Sequence, residues 1–168
     1  YDKKTCKWTT IPISDLVYPR ESVQALDTEG DNAWVAVGGS GVRFITPDGK
    51  QTTYTKENGL AQNGVNSITV DGDEVWFGHE YGWTSGSLTR YNKVTGKWLK
   101  YSEADVLAQT GIDRIVSTKR YVWIIYRRGI QAITAYDKKM DDWTTIKPSQ
   151  SHDDNWGSGV EDIAEDGD

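Results

Sequence analysis

Apolar and polar residues alternate through most of the chain in short runs, each closed by Gly, Asp or Asn, a pattern that predicts strands and tight turns. The runs recur. Ala33-Trp34-Val35, Val75-Trp76-Phe77 and Val122-Trp123-Ile124 are spaced 42 and 47 residues apart. An alternating segment precedes each of them: Val23-Gln24-Ala25-Leu26, Val65-Asn66-Ser67-Ile68 and Ile112-Asp113-Arg114-Ile115, with a fourth copy at Val160-Glu161-Asp162-Ile163. A third run follows a Gly-containing turn, at Gly41 to Phe44, Ser87 to Tyr91 and Gly129 to Ala132. The fourth run ends each unit, at Lys97 to Tyr101 and Trp143 to Ile146, and residues 46–54 do the same work without a Trp. Tyr1 to Trp8, Tyr91 to Trp98 and Tyr136 to Trp143 share one further pattern, with Trp spacings of 90 and 45. Several anchors that advance together identify a structural repeat.

Four short strands per repeat of ~40–50 residues is the signature of β-propeller blades. Helical periodicity is missing, and Ser102 to Ala108 predicts one turn at most. The expected fold is all-β: a partial propeller spanning residues 1–168, with antiparallel four-stranded blades at about 21–54, 65–101 and 111–147. Residues 1–11 are expected to form the outer strand of a preceding blade, and 160–168 the inner strand of a following one. Propellers close with 4–8 blades. The chain is therefore expected to be a segment of a longer protein, with the remaining blades coming from that same chain, or else to be completed by other chains.

One unit carries a family resemblance. Asn58 to Ile68, Asp71 to Gly78, Leu88 to Asn92 and Thr95 to Trp98 together resemble one full two-component-regulator propeller repeat. The neighbouring copies are more diverged, with Gly38 and Tyr126 at the position that follows the Trp strand. The boxes of WD40, kelch and sialidase propellers are not present. The resemblance implies an extracytoplasmic sensor portion, periplasmic or at the cell surface, that recognises an external ligand, often a polysaccharide fragment.

Repetition separates scaffold from site. Six of the eight Trp fall on repeat positions; Trp83 and Trp156 do not. In a four-stranded meander with strands A to D counted outward, the B–C and D–A connections share one face. Trp83 lies in a long B–C connection, with 10 residues from Trp76 to Gly86 against 7 and 6 in the other blades. Trp156 lies in a D–A connection. The same face receives Tyr81, His79, His152, Asp154, Arg128 and Tyr18, and these eight residues form the expected ligand site. Aromatic plates stack on sugar rings, while Asp and Arg satisfy hydroxyls or carboxylates. The plain alternative is that Trp83 staples its own loop and Trp156 fills a gap between blades.

Composition narrows the function further. The charge is -6 at pH 7, with 19 basic against 25 acidic residues, which does not suit a nucleic-acid partner. Mean hydropathy is -0.65, and no apolar run reaches the ~20 residues of a membrane span. A single Cys precludes an internal disulfide, and two His leave little for a metal site. Asp71-Gly72-Asp73 reads as a turn rather than a calcium loop. No cofactor or metal is expected. The reading is a non-catalytic module that binds a glycan or protein ligand. One alternative is a protein-interaction scaffold. Another is a propeller lyase using His79 with Glu80, or His152 with Asp153 and Asp154.

Overall fold

The computed structural model describes residues 6, 8, 10, 22–81, 85–108, 111–126, 132–146 and 163, with Glu80, Tyr81 and Ser85 by backbone only. Twelve strands form three antiparallel four-stranded sheets. The first contains β1 (Val23–Glu29), β2 (Asn32–Val37), β3 (Gly41–Ile45) and β4 (Gln51–Tyr54). The second contains β5 (Val65–Asp71), β6 (Glu74–Tyr81), β7 (Ser85–Asn92) and β8 (Trp98–Tyr101). The third contains β9 (Ile112–Ser117), β10 (Tyr121–Tyr126), β11 (Ile133–Asp137) and β12 (Asp142–Ile146). Each is a simple meander in chain order, and the inner strands β1, β5 and β9 touch in sequence. This is a partial β-propeller, and the sheets are its blades. The predicted flanking strands lie outside the described residues, apart from isolated positions. One 3-10 turn, Lys56–Asn58, is the only helical element among the described residues.

The alternating segment of each repeat encodes a β-bulge. Register slips once at the start of every inner-strand pairing, between Val23 and Ala25, between Val65 and Ser67, and opposite Ile125 and Tyr126. The extra residue is Gln24, Asn66 or Asp113. A bulge sharpens twist and turns the following side chains. Asn66 uses that turn to donate from Nδ2 to the Ile112 carbonyl of the next blade, at 2.5 Å. The C–D turn is also repeated in its backbone. Cys6, Gly96 and Asp141, each two residues before the outer-strand Trp, have φ of 54°, 69° and 53°. The lone Cys therefore occupies a left-handed turn position that suits Gly or a short polar residue.

The two larger core clusters are joints between blades, and a smaller one of Val35, Val37 and Ile45 lies in the first blade. Trp34, Val42, Leu60, Val65 and Phe77 pack at the first; Trp76, Leu88, Leu107, Ile112 and Tyr136 pack at the second. The blade Trp of both joints is closed off, with Trp34 1 % and Trp76 0 % exposed. On β1 the corresponding positions are open: Val23 and Leu26 are 51 % and 58 % exposed, whereas Val65 and Ile68 are 2 % and 7 %. The inner-strand faces of blades two and three are covered by the blades before them, whereas the matching side chains of blade one stay half-exposed.

Candidate functional site

Much of the expected long B–C loop is strand: residues 79–81 and 85–86 are paired. In the first blade the B–C hairpin ends at Val37 opposite Gly41. In the second, pairing continues past His79 opposite Ser87 and Glu80 opposite Gly86, to Tyr81 opposite Ser85. Two strands of eight residues thus extend as a ribbon. Trp83 lies outside the described residues. Tyr18, Arg128, His152, Asp154 and Trp156 also lie outside them, and Tyr81 is described by its backbone alone.

His79 does not serve the expected face. It is fully buried. Its Nδ1 lies 3.1 Å from the Gly64 carbonyl, which can only accept, so Nδ1 carries the proton. Nε2 then accepts from the Thr89 hydroxyl at 2.7 Å, and Thr89 Oγ1 accepts the Ala61 N–H at 3.0 Å. Burial pushes the imidazole pKa down to about 4, partly opposed by its hydrogen bonds to backbone. The ring is neutral at physiological pH and fastens the D–A connection to its blade. Its counterpart one blade on is Tyr126, whose hydroxyl accepts the Ala108 N–H and bonds Thr134, both at 2.8 Å. This correction was available in the sequence. Leu60-Ala61-Gln62 recurs as Leu107-Ala108-Gln109, each followed two residues later by Gly64 or Gly111. Both Leu are buried plugs under their connections.

A cavity of about 660 Å³ lies at the opposite end of the blades, in the outer groove of the second joint. Its floor is an ion pair. Arg90 donates from Nε and Nη2 to the two oxygens of Glu74, at 3.0 and 3.2 Å, and from Nη1 to the Tyr136 hydroxyl at 2.9 Å. The guanidinium also stacks 4.9 Å from the Tyr136 ring centre and 5.1 Å from that of Trp76. Trp143, Tyr101, Lys97 and Asp141 also line it.

Repeat register shows which of these residues are unusual. Arg90 pairs with Trp76, as Phe44 pairs with Trp34 and Ala135 with Trp123. Glu74 replaces Asn32 and Tyr121 at its own position. The pair therefore belongs to the second joint alone. At the first joint Phe44 takes the place of Arg90, 4.6 Å from Trp34, and Trp98, the counterpart of Trp143, stacks on Tyr91 at 4.1 Å. Sequence reasoning passed over both Arg90 and Glu74; their departure from the repeat was the signal. Elsewhere in the third blade, Arg120 meets Asp137 at 2.7 Å. Among the described residues, no group of three or more His, Cys, Asp or Glu is placed to hold a metal, and no helix is long and apolar enough to cross a membrane.

No protein-family model matches the chain, and no curated protein does. Solved structures do match. One is the extracellular domain assigned to a hybrid two-component system of B. thetaiotaomicron, with a TM-score of 0.63 and 20% identity over 88% of this chain. The match covers 20% of that domain, so this chain spans about a fifth of its length. At that identity the likeness is one of fold.

Proposed function

We propose that this chain is part of an extracytoplasmic ligand-binding propeller of sensor type, without catalysis of its own, that recognises a glycan or other external ligand on its B–C and D–A face. The observation that carries this reading is the β6–β7 ribbon. It extends one hairpin beyond the repeat, through Tyr81 opposite Ser85, on the face to which the sequence assigns Trp83. The extracellular assignment of the matched domain supports the compartment. The commitment of His79 to the scaffold removes one of the two histidines on which a lyase reading depends. The test is a glycan array with the full chain, followed by titration of any hit against Trp83→Ala and Trp156→Ala. Each variant should weaken binding about tenfold or more while melting at the parent temperature. Unchanged affinity in both variants overturns the assigned face. A blank array together with a stable complex with another protein replaces the glycan reading with the scaffold one.

A further inference from the structure

The three described blades leave apolar joint positions open at each end. In repeat register, Leu26 on β1 matches Ile68 on β5 and Ile115 on β9. The two Ile are buried against the blade before. Ile68 clusters with Trp34 and Ala36, and a Cβ on Gly78 would fall 3.3 Å from Ile115 and 2.7 Å from Ile112. Leu26 and its neighbour Val23 point the same way but stand 58 % and 51 % exposed.

The third blade is open on its other side. Trp123 matches Trp34 and Trp76, both closed off, yet is only half-buried. Ile146 pairs with Ile133 as Tyr54 pairs with Val42 and Tyr101 with Leu88. Both Tyr pack against the core of a joint, whereas Ile146 is 45 % exposed. Single exposed apolar residues are ordinary on a surface. Here three of the six large ones among the described residues, Val23, Leu26 and Ile146, fall on positions that joints bury elsewhere in the same chain.

The turns beside these faces carry opposite charge. At each described joint a Lys on the C–D turn reaches an acid on the preceding A–B turn, Lys93 to Glu29 and Lys138 to Asp71. Blade one has Pro47 at the Lys position, with Asp48 next to it. Blade three has Thr118 at the acid position, with Lys119 next to it. The signs are reversed and still complementary.

We propose that these two faces are the halves of one further joint, formed between two copies of this chain head to tail. Val23 and Leu26 of one copy cover Trp123 and Ile146 of the other, and the Asp48 turn meets the Lys119 turn. The contact continues the two joints already present in the chain. Such unlike faces build a ring when the rotation closes and a filament when it does not. Two copies of three blades make six, inside the 4–8 of closed propellers, so the expected product is a dimer. The contact does not involve the ligand face and stands independently of it.

The test is sedimentation of the full chain across a concentration series, with two variants at exposed positions. The parent should form dimers at micromolar concentration. Leu26→Asp and Ile146→Asp should each weaken association about tenfold or more while melting as the parent monomer does. An equimolar mixture of the two should associate more tightly than either alone, because it restores one joint with both faces intact. The proposal is overturned if the parent stays monomeric up to about 100 µM, if either variant associates as the parent does, or if the mixture gains nothing. Loss of association with Leu26→Asp but not with Ile146→Asp would mean that the β1 face pairs with itself. Should Leu26→Asp fail to fold, Val23→Asp takes its place.

Discussion

The two joints between blades use the same positions and reach different ends. At the first, Trp98 stacks on Tyr91 at 4.1 Å, meets Tyr54 at 5.4 Å and is capped by Gly59. A Cβ on Gly59 would fall 2.4 Å from a Trp98 ring atom, and Gly59 holds φ at 151°, so only Gly fits. At the second, the equivalent Trp143 stands farther from Tyr136, at 5.0 Å, and borders the cavity. The central links differ in the opposite sense. One side-chain bond, Val70 N–H to Asp27, joins the first two inner strands at 2.7 Å. Three join the next two: Asn66 to Ile112, Thr69 to Ile115 and Ile115 N–H to Ser67. The first joint is sealed outside by aromatic packing. The second is tied near the inner strands by hydrogen bonds and left open outside. A repeat scaffold can thus vary its seams without changing its blades.

The strongest attack on this contrast is Trp98→Ala against Trp143→Ala. The first should cost about 4 kcal/mol and the second about 2, because Trp143 already faces a void. Equal losses in denaturant unfolding would erase the distinction.

Acid should separate the joints next. The connection at the first is anchored by His79, and at the second by Tyr126, whose phenol burial pushes further up and keeps neutral. The unfolded imidazole takes its proton near pH 6.5 and the folded one only near 4. Stability is therefore full above about pH 6.5 and falls by ~1.4 kcal/mol per pH unit down to about 4, a total of roughly 3 kcal/mol. Amide exchange in 55–64 should quicken across that window while 102–108 holds. Parallel behaviour would show that His79 is not the anchor.

Converting one joint into the other has a smaller effect. Arg90→Phe alone should cost about 2 kcal/mol, since it strands the Glu74 carboxylate. Adding Glu74→Asn, to copy Asn32 beside Phe44, should restore most of this and fill the groove. A double variant no better than the single would mean that the pair's value lies in the pair itself. The smallest effect concerns Trp76. Trp34 donates its indole N–H to Glu29 at 3.5 Å, but the Trp76 N–H has no partner among the described residues. The acid at the Glu29 position is here Asp71, one methylene shorter, and Lys138 holds it. Asp71→Glu should supply the missing acceptor and add about 1 kcal/mol, read as a rise in melting temperature.

The blades were legible because their signals are local and repeated. Val-Trp pairs mark the buried second strand, and the segment with Gln24, Asn66 or Asp113 marks a bulge. The ribbon was not legible, because His79 to Gly86 is polar and Gly-containing and so reads as loop. Only cross-strand pairing, which periodicity does not encode, extends it. His79 was read as a site residue for a related reason. A polar side chain near a turn looks exposed until the preceding connection folds over it, and Leu60, Ala61 and Gly64 do that from 15 or more residues away in the chain. Arg90 and Glu74 were hidden in a different way: each is ordinary on an exposed strand, and only alignment of the three blades shows that they occupy a joint.

One repeated contact gives the array a direction. Lys93 reaches back to Glu29, and Lys138 reaches back to Asp71, each from the C–D turn of one blade to the A–B turn of the blade before. Blades two and three each grip their predecessor, and stability is shared between neighbours, as in a one-dimensional chain of coupled units. Among the described blades the middle one is held from both sides. It should be the last to open and its amides the slowest to exchange, while the outer two fray at rates set by their different seams.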